Sequence, residues 1–229
     1  GQYGVQDVFV EPFDRNMMTM PWENFLSDLL VGKYHAVHLV AGHDYRFGHK
    51  NEGDVEKLKA YCAAHGLGCD VIPRVELDGV TVSSSHIRAL LEEGDAARAA
   101  AFLGHPFSME GTVRHGDGIG KKRLFPTANL IPEEHLLVPK HGVYATRAHL
   151  PGGETRVGVT NVGVRPTVSK KNSVTVETYL VDYEGDLYGK VLRLDFCDYL
   201  RPERRFSSTQ ELHDMIAHNA EEAKGIVKL

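Results

Sequence analysis

Between Gly111 and Leu130 three kinds of residue follow one another that together suit a polyphosphate and its metal ion. Gly116, Gly118 and Gly120 alternate through a turn. Without Cβ atoms they let the backbone take positive φ and aim successive N–H groups at one anion. Lys121, Lys122 and Arg123 come next and supply compensating charge. Thr127 and Asn129, two apart on an extended segment, project oxygens to one side, where hydroxyl and amide oxygens suit a hard cation such as Mg²⁺. Taken singly, a Gly-rich turn is more often a hairpin loop, and a cationic run is usually a solvated face. The spacing fits neither the Gly-x-x-x-x-Gly-Lys-Ser/Thr nor the Gly-x-Gly-x-x-Gly pattern. Their succession over so short a stretch is the signal, and it points to a metal–nucleotide site.

A second candidate is Glu177, in the alternating stretch Val174 to Leu180. A carboxylate at such a position ordinarily faces solvent. Upstream, Ser84 and Ser85 precede the apolar pattern of Ile87, Leu90 and Leu91, with Arg88 one turn in. That grouping serves either as a helix cap or as an anion site.

The elements that would carry these residues fall into two kinds. Over the first hundred residues short apolar runs alternate with helical patterns, which predicts a parallel sheet flanked by helices. Strands are expected at Val5–Val10, His35–Ala41 and Cys69–Val75, with one helix opening at Pro21 and running to about Val31. A second helix is capped by Asp54, a third by Ser84 or Ser85, and a fourth spans Ala96–Leu103. After Gly104 to Phe107 the helical period disappears, and five strands are expected: 108–114, 143–150, 155–162, 174–181 and 190–199. Their spacing predicts a small Greek-key β-barrel, followed by a C-terminal helix with a Ser208/Glu211 capping box.

Composition narrows the class. With 42% apolar and 25% charged residues the chain is ordinary for a globular protein, and its net charge of −5 argues against a protein that coats nucleic acid. No apolar run approaches the roughly 18 residues a membrane span needs. Cys62, Cys69 and Cys197 are odd in number and far apart, so no disulfide framework or zinc site is expected, and a cytoplasmic setting is.

In several multi-residue motifs the chain resembles the bacterial bifunctional riboflavin kinase/FMN adenylyltransferase family. They are the His-Gly-rich turn with Phe125 to Asn129, His141 to Ala145, Gly158 to Thr167, Val176 to Leu180, Asp186 to Lys190 and Leu200 to Phe206. Two further matches, Gly42 to Gly48 and Ser83 to Arg88, are similar to nucleotide-site motifs of the adenylyltransferase half. The resemblance implies an FMN adenylyltransferase domain over 1–104, Rossmann-like, and a riboflavin kinase barrel over 105–229. It implies ATP-dependent phosphorylation of the riboflavin ribityl 5′-hydroxyl, with riboflavin, FMN and ATP as ligands and Mg²⁺ as the ion. Glu177 takes the position of the catalytic base. Gly116, Gly118, Gly120, Lys121, Arg123, Thr127 and Asn129 take the ATP side, with Thr127 and Asn129 orienting the metal. Asn161 and Arg165 are either flavin-side or structural, and Asp44, Arg46, Ser84, Ser85 and Arg88 belong to the adenylyltransferase site.

The sequence departs from the family pattern in three places. Leu124 stands where Gly is frequent, and Ser85 where Thr is usual. The Gly-Phe-Asp-Gly turn and His-x-Gly-His segment that open the family's adenylyltransferase do not occur. The first domain is therefore expected to be N-terminally incomplete and the chain to make FMN but not FAD. A flavin- or nucleotide-binding protein without turnover is the alternative.

Overall fold

The computed structural model describes residues 3–114, 127–132, 136–165 and 173–229. The chain forms two compact units, Gly1–Glu76 and Leu77–Leu229.

In the first unit, helices α1 (Arg15–Thr19) and α2 (Trp22–Asn24) lead into a wider π-helical stretch, Phe25–Lys33. Strand β1 (His38–Gly42) then runs parallel to β2 (Gly68–Ile72), from His38 opposite Gly68 to Gly42 opposite Ile72. Their crossover contains α3 (Val55–His65), the helix that parallel strands need between them. Asp54 caps α3 by accepting from the Lys57 N–H at 2.9 Å, and Gly66 ends it at φ +67°, a left-handed conformation that Gly adopts without a Cβ penalty. Leu26, Phe47, Leu58 and Cys62 form this unit's core. The expected strand at Val5–Val10 is absent: 5–10 is irregular and exposed, because a short apolar run makes a strand only where a partner pairs with it.

The division between units passes through β3 (Glu76–Leu77), which is followed by β4 (Val80–Thr81). Helices α4 (Ser84–Glu93) and α5 (Ala96–Leu103) belong with the barrel. Ala96 lies in the barrel core, Phe102 packs beside Phe107, and the Lys140 N–H donates to the Leu91 carbonyl at 2.9 Å. By packing, then, the chain divides 28 residues before the expected 104/105 boundary, since two helices that look like the end of an α/β domain cover the barrel. The cap of α4 is Ser83, whose hydroxyl accepts from the His86 N–H at 3.2 Å, so Ser84 and Ser85 are the first helical residues rather than caps.

Six antiparallel strands close the barrel. They are β5 (Phe107–Arg114), β6 (Thr127–Pro132), β7 (Gly142–His149), β8 (Thr155–Arg165), β9 (Ser173–Leu180) and β10 (Val191–Arg201). Around the barrel the order is β10-β5-β6-β9-β8-β7, so the β5–β6 pair joins the far side of the β7–β8–β9 meander and β10 seals the ring. Five of these strands follow the expected ranges closely; β6 is the addition. Met109, Val113, Leu130, Val176, Leu192, Leu194 and Phe196 point inward. Tyr144 does so as well, its hydroxyl donating to the Lys140 carbonyl at 2.6 Å while burial pushes its pKa well up. The last helix, α6 (Thr209–Ile226), lays Ala220 and Ala223 on the outward side chains of Val143, Ala145, Val157 and Val159.

Candidate functional site

Strand β9 lies between β6 and β8, and its register gathers the polar side chains. Asn129 of β6 and Asn161 of β8 both stand directly opposite Glu177. Directly opposite residues in antiparallel strands share a face, with Cβ atoms about 4.5–5.5 Å apart. Arg114 of β5 faces Asn129 in turn, so Arg114, Asn129, Glu177 and Asn161 form one rung across four strands on the outer face of the barrel. Thr127 faces Tyr179 one rung further, which puts its hydroxyl on the same face as Asn129 and Glu177. All three side chains are half-buried. Burial is the main reason that the neighbouring Tyr179 hydroxyl is pushed up in pKa, with Asp182 adding to it.

The inner face of the same strands keeps the rung in place. Thr160 sits between Thr146 and Thr178 with its hydroxyl 2.8 Å from each, and all three are fully buried. A buried hydroxyl needs a partner, and this chain of three supplies one to each. Thr178 is next to Glu177, so the hydroxyl chain fixes the strand that presents the carboxylate.

Asn161 has a second neighbour: its Nδ2 donates to Glu203 Oε1 at 2.9 Å. Glu203 lies 42 residues further along the chain. It belongs to the Leu200 to Phe206 motif, but no local spacing ties it to Asn161.

Of the other expected site residues, Gly116, Gly118, Gly120, Lys121, Arg123 and Leu124 lie outside the described residues, as does the side chain of Arg165. Asp44 occupies the turn that follows β1, and Arg46 pairs with the α3 cap Asp54 at 3.5 Å. Both are at the carboxyl end of a parallel strand, where open α/β sheets bind ligands. Ser84, Ser85 and Arg88 are exposed on the first turns of α4, in the other unit. Among the described residues, no group of three or more His, Cys, Asp or Glu is arranged to hold a metal ion; on the outer face the oxygens of Thr127 and Asn129 stand beside Glu177 and are of the kind a hard cation takes.

Comparison with known proteins agrees with this architecture. The riboflavin kinase family profile matches residues 103–227, and the FAD synthetase profile matches 1–86. The bifunctional riboflavin kinase/FMN adenylyltransferase of Escherichia coli K12 is 36% identical over 228 residues, spanning 98% of this chain and 72% of that protein. Its counterpart from Bacillus subtilis 168 is 30% identical over 97% of this chain and 70% of its own length. A crystal structure from Streptococcus pneumoniae, described as a macrolide-efflux protein, superposes with a TM-score of 0.81 at 26% identity, covering 94% of this chain and 68% of that one. In this chain no helix among the described residues is long and apolar enough to cross a membrane.

Proposed function

Because the chain belongs to the bifunctional riboflavin kinase/FMN adenylyltransferase family, we propose that Glu177 is the general base of its kinase site, with Thr127 and Asn129 orienting the Mg²⁺ of MgATP. The activity is ATP-dependent phosphorylation of riboflavin to FMN, and the family unites it with FMN adenylylation. The observation that carries the assignment of the base is the register that sets Glu177 directly beside Asn129, with Thr127 two residues away on the same face.

In this reading the 5′-hydroxyl oxygen of riboflavin forms a bond to the γ-phosphorus of ATP as the bond to the β,γ-bridging oxygen breaks and ADP leaves. Glu177 accepts the hydroxyl proton. Phosphoryl transfer passes through a loose transition state, so positioning and charge neutralisation dominate. The metal ion, when bound, contributes to that neutralisation. Gly116, Gly118 and Gly120 would wrap the phosphates, with Lys121 or Arg123 offsetting charge. Asp44 and Arg46, and Ser84, Ser85 and Arg88, would serve adenylyl transfer. The setting proposed for this work is the cytoplasm.

Chromatography of the flavins formed from riboflavin, ATP and Mg²⁺ tests the reading, with a chelated control. FMN that depends on the metal is expected. Glu177→Gln should lower kcat by roughly two orders of magnitude or more while riboflavin still binds, because a general base contributes roughly 10²–10⁴-fold. An unchanged kcat would remove Glu177 from the mechanism, and absence of FMN from the unaltered chain would favour flavin binding without turnover.

A further inference from the structure

Glu203 is an exposed residue in the segment between β10 and α6, yet its carboxylate meets both a hydrogen-bond donor and a stretch of strand backbone. Oε1 accepts from Asn161 Nδ2 at 2.9 Å. The same carboxylate lies against the backbone of Gly163: a Cβ built there would be 2.4 Å from Oε1, 3.0 Å from Cδ and 3.1 Å from Oε2. The residues around Glu203 are anchored as well. Arg201 Nε donates to Oδ1 of the buried Asn219 at 2.9 Å, and the Phe206 ring lies under both the Arg201 and Arg204 guanidinium groups, 5.6 and 4.8 Å from its centre. Arg204 pairs with Glu211 at 2.7 Å, which ties the segment to the first turn of α6.

An exposed hydrogen bond of this kind adds little to stability. What it adds is orientation. An ionised carboxylate only accepts, so Asn161 must turn Nδ2 toward Glu203, which fixes the amide's two ends beside the carboxylate of Glu177. We propose that Glu203, seated on Gly163, is a positioning residue for riboflavin phosphorylation: it locks the Asn161 amide directly beside Glu177. The proposal rests on Glu177 being the base. In a six-stranded barrel of this register no other strand stands beside β9 on that side, so β8 and the segment that braces it set the surroundings of the carboxylate there.

The test uses the full chain and the steady-state kcat and KM of FMN formation, with thermal melting as a check on folding. Glu203→Gln keeps the shape but loses the carboxylate's one-way demand for a donor. Gly163→Ala keeps Glu203 and displaces it, and it adds no conformational strain because Gly163 does not have positive φ. Each should lower kcat about tenfold, the order seen when the partner of a functional side chain is lost, and leave the KM for riboflavin near its original value. If Glu203 acts through Asn161, then Glu203→Gln has no further effect in an Asn161→Ala background.

Original kcat in both Glu203→Gln and Gly163→Ala would overturn the proposal, as would losses that multiply fully in the Asn161→Ala/Glu203→Gln pair. Glu177→Gln in the same series separates the two ideas. If it lowers kcat and the Glu203 variants do not, the positioning role alone fails; if it leaves kcat unchanged, the assignment of the base fails and takes the positioning role with it.

Discussion

Gly158 lies opposite Thr146 on β7 and Leu180 on β9, and the missing side chain is what the barrel interior uses there. A Cβ at this position would meet Thr146 Oγ1 at 2.5 Å and Thr178 Cγ2 at 3.0 Å. The three threonine hydroxyls therefore depend on a glycine that is itself in ordinary extended backbone, and the requirement is steric rather than conformational. Gly158→Ala should cost about 1–3 kcal/mol, the usual penalty for overpacking a filled core. Urea unfolding would show this as a lower midpoint at unchanged slope. Thr160→Val is the companion variant: it removes the middle hydroxyl, strips Thr146 and Thr178 of their shared partner, and should cost about 1–3 kcal/mol through unsatisfied groups instead. Glu177 and Thr178 are adjacent on β9, so either change should also lower kcat if the inner hydroxyls hold the outer carboxylate in place. Full activity in both variants would separate the hydroxyl chain from catalysis.

Among the elements, α6 shows how a capping pattern resolves in three dimensions. Ser208 accepts from the Glu211 N–H at 3.1 Å, as the Ser-x-x-Glu spacing predicts. The Glu211 carboxylate, however, reaches one residue further back, to the Ser207 N–H at 2.9 Å and the Ser207 hydroxyl at 2.7 Å. The Ser207 N–H is the largest cause that holds the Glu211 carboxyl below its usual range, followed by the Ser207 hydroxyl, with Arg204 contributing. Asp54, at the start of α3, is lowered chiefly by the Lys57 N–H. A carboxylate whose folded pKa is depressed stabilises the fold above its unfolded value and loses that contribution as pH falls through the folded one. Glu211→Gln should therefore be less stable than the original chain at neutral pH, and the two should converge in acid. Ser208→Ala should cost about 1 kcal/mol at every pH, since that bond involves no titrating group. Urea midpoints measured against pH distinguish the two patterns, and a constant gap for Glu211→Gln would contradict the electrostatic account.

The same scale shows what the sequence made legible. Strands β5 and β7 to β10 alternate and carry their own signal. The place of β6 in the ring was hidden, because Thr127 to Pro132 finds partners in β5 and in β9, the latter with Glu177 48 residues beyond Asn129. Thr127 and Asn129 were readable as a pair on one face, yet their placement beside Glu177 is a matter of register, which no local pattern states. At α4 the cap was expected at Ser84 or Ser85, whereas the extended backbone places it at Ser83. At 5–10 a short apolar run was present, but among the described residues no strand pairs with it.

At the scale of the whole molecule, the question is where the barrel unit begins. Sequence character changes near residue 104, and the riboflavin kinase profile starts at 103, whereas packing assigns everything from Leu77 onward to one unit. The reason lies in α4 and α5. Their buried side chains Leu90, Leu91, Ala99 and Phe102 form a cluster with Phe107 and Leu137 of the barrel unit, and Ala96 reaches the barrel core itself. Lys140 fastens the arrangement, its N–H on the Leu91 carbonyl and its Nζ 3.1 Å from the Glu93 carbonyl. Burying one Leu or Phe side chain is worth about 1.5–3 kcal/mol, so removing this layer takes away an amount comparable with the whole stability of a small domain. A chain comprising residues 77–229 should therefore fold cooperatively and make FMN. One comprising 105–229 should melt at a markedly lower temperature, with Phe107 and Leu137 uncovered, and should form FMN only where enough of it remains folded. Circular dichroism melts paired with flavin chromatography on the two chains decide the matter. Equal melting temperatures would mean that α4 and α5 merely rest on the barrel, and that the kinase unit begins where the sequence changes character.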